Sequence, residues 1–133
     1  MGDPPESVVR RFLSASVDPT VEELVGFFSD DAVWIDGPRG VHRGLDAIRT
    51  ELEVQLSMGF KMVSIQVKSL VANDRLVMME RVDDFTVGGT PFSIEVMAAF
   101  ETDGEGRIKR WRDYFDLKTI ADQMEAAGFA PPG

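Results

Sequence analysis

The chain of 133 residues is 44% hydrophobic, which is one domain's worth of sequence around one core. Its 23 acidic and 14 basic residues leave a formal charge of -9, without the basic footprint that nucleic acid or an anionic membrane face requires. The absence of cysteine and the single histidine, His42, exclude disulfides, thiolate nucleophiles and multi-histidine metal sites. Any enzyme chemistry then falls to carboxylates, arginines and aromatics. No apolar run approaches the ~20 residues of a membrane span, and the opening residues lack a signal-peptide pattern. A cytoplasmic single domain over residues 1–133 is expected, with no cofactor, no metal and no nucleic-acid or membrane partner.

Pro4 and Pro5 precede Val8, Val9, Phe12 and Leu13, a stripe suited to an amphipathic helix. Thr20 and Glu23 form a capping-box pattern for a short helix carrying Val21, Leu24, Val25 and Phe28. Residues 32–36 alternate like a strand, and Gly37, Pro38, Arg39 and Gly40 then break the chain. Ile48, Leu52 and Leu56, spaced by four, predict a third helix over residues 45–56.

From Phe60 the apolar period changes to two, predicting strands over residues 60–71, 75–86, 91–101 and 107–117. Asn73-Asp74, Gly88-Gly89 and Asp103-Gly104 separate them with hairpin chemistry, so the four should form an antiparallel meander. A short helix over residues 118–127 ends near Gly128, before a tail containing Pro131 and Pro132. The expected class is α+β: a strongly curved, mixed or antiparallel sheet with three helices in the N-terminal half and one at the C-terminus. Such a sheet can enclose an apolar pocket against its helices. Leu52, Leu56, Phe60, Phe85, Ile94, Val96, Phe115 and Ile120 are the expected pocket wall. Met58, Met62, Met78, Met79 and Met97 read mostly as core filler, and His42 as a surface side chain.

Alternation puts charges on apolar faces. Val77, Met79, Arg81, Asp83 and Phe85 share one side of a strand, as do Trp111, Asp113 and Phe115, and as do Trp34 and Asp36. Ionised groups on such a face must pair, and an arginine fork can satisfy two carboxylates. A structural ion-pair network, or strands whose charged side faces water, would produce the same pattern. The sharper reading follows from charge. Two carboxylates sharing one arginine hold one excess negative charge, so in a dry site one of them keeps a proton. One can then donate a proton while the other accepts one, which suits the opening of a strained neutral ether without metal or covalent intermediate.

At these positions, Leu76-Val77-Met78-Met79-Glu80-Arg81-Val82-Asp83 and Trp111-Arg112-Asp113-Tyr114-Phe115-Asp116-Leu117, the sequence resembles the limonene-1,2-epoxide hydrolase family. The resemblance implies a cone-shaped, cystatin-like α+β fold shared with SnoaL and nuclear transport factor two, and a homodimer formed through the outer sheet face. It further implies that Arg81 bridges, that Asp83 is the acid donating to the epoxide oxygen, and that Asp113 is the base activating water. Two water-positioning residues of that family, a tyrosine and an asparagine, correspond to Trp34 and Asp36, a departure at both positions. The implied reaction opens an apolar terpenoid or cyclic epoxide to a vicinal diol.

Two other functions compete. Asp36, Pro38-Arg39 and Gly44-Leu45-Asp46-Ala47-Ile48-Arg49 resemble the ketosteroid isomerases, in which Asp36 would move a proton beside a carbonyl of a steroid- or polyketide-like ring. A non-catalytic binder of an apolar small molecule is the third reading.

Overall fold

The computed structural model describes residues 2–129. Pro131 and Pro132, read from sequence as a tail, lie outside the described residues. Helix α1 (Pro5–Ala15) starts on the proline pair and buries Val8, Val9, Phe12 and Leu13. Helix α2 (Val21–Val25) carries the capping box in full: Thr20 Oγ1 accepts from the Glu23 backbone N–H, and the Glu23 side chain accepts from the Thr20 backbone N–H. Strand β1 (Phe28–Asp36) runs into a 3-10 turn (Gly37–Arg39), a short strand β2 (Val41–Arg43) and helix α3 (Leu45–Ser57). Strands β3 (Phe60–Ala72), β4 (Leu76–Val87), β5 (Thr90–Thr102) and β6 (Ile108–Tyr114) follow, and helix α4 (Leu117–Ala126) closes the chain.

The sheet has six strands in the order β2-β1-β6-β5-β4-β3. The predicted antiparallel meander occupies β3 to β6, and β1 joins it by pairing parallel to β6. Register shifts, with the extra residues on β1, β3 and β6, mark irregularities of the kind that bend a sheet. The result is a curved sheet whose concave face packs on the helices: the α+β cone expected from the sequence.

The elements differ from the sequence reading in three places. Strand β1 starts at Phe28, which the sequence reading put on the preceding helix, because α2 already ends at Val25. Strand β2 was not foreseen, because three residues between two glycines are too few to show a period. The last strand ends at Tyr114, three residues early, because Asp116 caps α4 by accepting from the Lys118 backbone N–H at 2.9 Å. Gly37 allows the tight exit from β1: its φ is +51°, and a Cβ there would lie 2.5 Å from the Phe115 ring.

The core lies between the concave face and α1, α2 and α3. Phe12 sits at its centre, packing edge-on against Phe27, Phe28, Phe100 and Trp111 at ring separations of 5.1 to 6.0 Å. Of the methionines read as filler, Met79 is buried and Met62 half-buried, whereas Met58, Met78 and Met97 are exposed. Met78 and Met97 fall at alternate, outward positions of β4 and β5, where strand periodicity outweighs hydrophobicity. Among the described residues no helix is long and apolar enough to cross a membrane.

Candidate active site

The inward positions of β4, β6 and β1 carry the charges. Arg81 and Asp83 are two apart on β4 and Asp113 lies on β6; these residues are 3%, 4% and 6% exposed. Strand β5 lies between them, with Val96 opposite Arg81 and Ala98 opposite Asp113. These small side chains leave room for the arginine to reach across. Arg81 grips both carboxylates in bidentate fashion. Toward Asp83, Nε donates to Oδ1 at 2.8 Å and Nη2 to Oδ2 at 3.1 Å. Toward Asp113, Nη1 donates to Oδ1 at 3.0 Å and Nη2 to Oδ2 at 2.8 Å. Four of the five guanidinium N–H bonds are thereby engaged.

Burial opposes the charge of Arg81, but Asp113 and then Asp83 more than offset it and raise its pKa, so the guanidinium stays charged. Asp83 is pushed up, chiefly by burial and then by the negative charges of Asp113 and Asp84, with Arg81 pulling the other way. Burial thus favours the neutral form of Asp83. Hydrogen bonding points the same way, because Asp113 has three donors and Asp83 two: the indole Nε1 of Trp111 also donates to Asp113 Oδ1, at 2.8 Å.

Asp36 is the register partner of Asp113 on the neighbouring parallel strand, and Trp34 is that of Trp111. Asp36 is 7% exposed, and its Oδ2 is buried with no hydrogen-bond donor; Arg39 Nη1 stands 3.6 Å away. Burial pushes its pKa up to about 6, Arg39 lowers it, and Asp113 and Glu51 raise it further. Trp34 lies flat on Trp111, with ring centres 4.3 Å apart and planes at 1°, while its own Nε1 is buried without a partner. His42, expected at the surface, is half-buried with its ring 4.9 Å from that of Trp34. Pairing of β2 with β1 sets His42 opposite Trp34. The donor atoms of Asp36, His42 and Glu51 lie within 4.8 Å of one another and could share a cation, for which Arg39 is the competitor at Asp36.

These groups open on an apolar cavity of about 560 Å³ between the sheet and α1, α3 and α4. Arg81, Asp83, Asp113, Trp34 and Asp36 all line it. So do seven of the eight side chains expected from sequence: Leu52, Leu56, Phe60, Phe85, Ile94, Phe115 and Ile120. Val96 does not; it is 2% exposed and packed in the core, paired with Arg81 across the strands. Of the methionines singled out in the sequence, Met58 and Met62 line the cavity too; sequence reasoning missed Gln55, Ile65, Phe92 and Met124 on the wall. For Phe92, alternation with Ile94 was a usable signal; for Met124, the spacing of four from Ile120 was another.

Residues 9–111 match the SnoaL-like domain family, and the chain belongs to it. Over 113 residues it is 29% identical to the epoxide hydrolase EphG of Mycobacterium tuberculosis, covering 82% of this chain and 71% of that protein. Its fold superposes with a TM-score of 0.77 on an LEH-like epoxide hydrolase of M. tuberculosis, at 25% identity over 90% of this chain and 88% of that one. A protein with a ketosteroid isomerase-like fold from Catenulispora acidiphila, 19% identical over 96% of each chain, gives a TM-score of 0.78, a likeness of fold alone. The family resemblance seen in the sequence and the cone fold are thus both borne out. The protein sits among relatives that include epoxide hydrolases and isomerase-like neighbours of the same fold.

Proposed function

We propose that the protein is a cofactor-independent epoxide hydrolase acting on an apolar terpenoid or cyclic epoxide. The observation that carries this reading is the buried Arg81 fork, which holds two carboxylates at the wall of an apolar pocket. Asp83, the protonated member, donates its proton to the epoxide oxygen as a C–O bond breaks. Asp113, the ionised member, takes a proton from a water whose oxygen bonds to the same carbon. One water is added, a vicinal diol leaves, and the two carboxyls have exchanged their proton. Arg81 stays charged throughout and holds both partners in place. Asp36, beside Asp113, is the acceptor available to the second hydrogen of the water.

Chromatography of limonene oxide and cyclohexene oxide incubations should reveal vicinal diols from the wild-type protein. Asp113→Asn and Asp83→Asn should each reduce kcat by about 10²–10⁴-fold, the range of general acid-base catalysis. An unchanged rate in Asp113→Asn would rule out the base.

Asp36 supports a second reading, as the base of an isomerase. Its carboxyl lines the pocket, its Oδ2 has no hydrogen-bond donor among the described residues, and burial pushes its pKa up to about 6, where it can move a proton near neutral pH. Solvent deuterium entering a cyclic enone, with no turnover of epoxides, would favour that reading over hydrolysis. The outer sheet face exposes Val63, Val71, Met78, Met97 and Tyr114, an apolar surface consistent with a homodimer through that face.

A further inference from the structure

We propose that Trp111 is a positioning residue that makes Asp113 the base of the Arg81-bridged pair, and that Trp34 braces it. The proposal rests on the hydrolase reading and adds to it what separates two carboxylates that Arg81 holds in nearly the same way. Each carboxylate receives two hydrogen bonds from the guanidinium. The difference between them is the third donor, Trp111 Nε1, 2.8 Å from Asp113 Oδ1.

A carboxylate oxygen offers about two acceptor positions. On Asp113, Oδ1 has both filled, by Arg81 Nη1 and Trp111 Nε1, whereas Oδ2 has one filled, by Arg81 Nη2. The proton from water must therefore arrive on Oδ2. Asp83 lacks such a donor, so the retained proton rests there. Trp111, on the cavity wall, thereby selects both the basic residue and its basic atom.

The indole can do this because its ring is held. Trp34 stacks on one face at 4.3 Å with the planes parallel within 1°. Phe12 meets Trp111 edge-on at 5.1 Å, and Phe28 lies at 6.0 Å. The N–H of Trp34 is buried without an acceptor, so what Trp34 contributes to the site is ring surface. The same register that sets Asp36 beside Asp113 sets Trp34 beside Trp111.

The test is Trp111→Phe in the full chain, assayed for epoxide hydration across pH, with thermal melting as a check on folding. Loss of a hydrogen bond to a charged group should reduce kcat by about 10- to 100-fold while KM changes little. The low-pH limb of the kcat profile should move to higher pH. Incorporation of 3-benzothienylalanine at position 111 removes the N–H with nearly the same ring, so a fall in kcat there separates the hydrogen bond from packing. The chain has two tryptophans, and Trp34→Phe assigns their indole N–H signals by NMR. The Trp111 signal should move in Asp113→Asn, and the Trp34 signal much less. Wild-type turnover with kcat and the pH limb unchanged in both position-111 variants would overturn this role and leave the hydrolase reading standing. A Trp111 signal indifferent to Asp113→Asn would overturn it as well. A wild-type protein that hydrates no epoxide at any pH would overturn both.

Discussion

Strands β1 and β6 run side by side and parallel, and each carries Trp-x-Asp on its inner face: Trp34-Ile35-Asp36 and Trp111-Arg112-Asp113. The two units differ in every polar contact. On β6 the indole N–H donates to the carboxylate and Arg81 supplies two further bonds. On β1, among the described residues, the indole N–H has no acceptor and Asp36 Oδ2 has no hydrogen-bond donor, with Arg39 as its ion-pair partner at 3.6 Å. The two aspartates are buried alike, so burial alone does not decide what a buried aspartate does. The donors around it decide whether it is an ion fixed for use or a group that keeps a proton to relieve its own desolvation.

Breaking the satisfied unit has the largest expected effect. Arg81→Gln leaves Asp83 and Asp113 buried without their cation and should destabilise the fold by about 3–5 kcal/mol at neutral pH, with no epoxide turnover remaining. Urea unfolding beside the diol assay measures both. A variant with wild-type stability would mean that the two carboxylates are not held by Arg81.

The unsatisfied unit should respond in the opposite direction. Asp36 has a folded pKa near 6, above the ordinary 3.8, so its contribution to stability is fully present below about 4 and is lost as pH rises through 6. Above that, the ionised carboxylate is a burden on the fold. Asp36→Asn should therefore stabilise at pH 8 by up to roughly 3 kcal/mol, at about 1.4 kcal/mol per pH unit, and by much less at pH 4. Urea unfolding at the two pH values checks this, and equal effects at both would contradict the assignment. The smallest effect belongs to Trp34→Phe. It removes a buried N–H that has no partner as well as some ring area, and the two changes should leave stability within about 1 kcal/mol of wild type.

The inner faces of β4 and β6 were legible because a period of two sorts side chains onto faces without knowledge of the fold. Arg81, Asp83 and Asp113 stood out as charges among Met79, Phe85 and Trp111. The pairing of β1 with β6 was not legible. It joins residues that are far apart in sequence, through a parallel contact that leaves no turn signal. The stacking of Trp34 on Trp111 therefore went unseen, whereas the neighbourhood of Asp36 with Asp113 was implied by the family resemblance and by no period in the sequence. Val96 was misassigned for a related reason. Alternation places it on the pocket side of β5, but there its register partner Arg81 lines the cavity while Val96 itself is buried in the core. Helix α3 contributed Leu52 and Leu56 correctly, since a helical stripe has one packed face. Glu51, one residue off that stripe, reaches Asp36 and His42 from a flank that periodicity does not address.

The central claim is that Arg81 holds an acid and a base that open an epoxide with water in one step. A single turnover in oxygen-18 water, with protein in excess over epoxide, tests it most directly. The account predicts that the diol carries one oxygen-18 atom after that first turnover and that the mass of the protein is unchanged. Unlabelled diol, with oxygen-18 left in the carboxylate of Asp113 or Asp83, would mean a covalent ester intermediate and would contradict it.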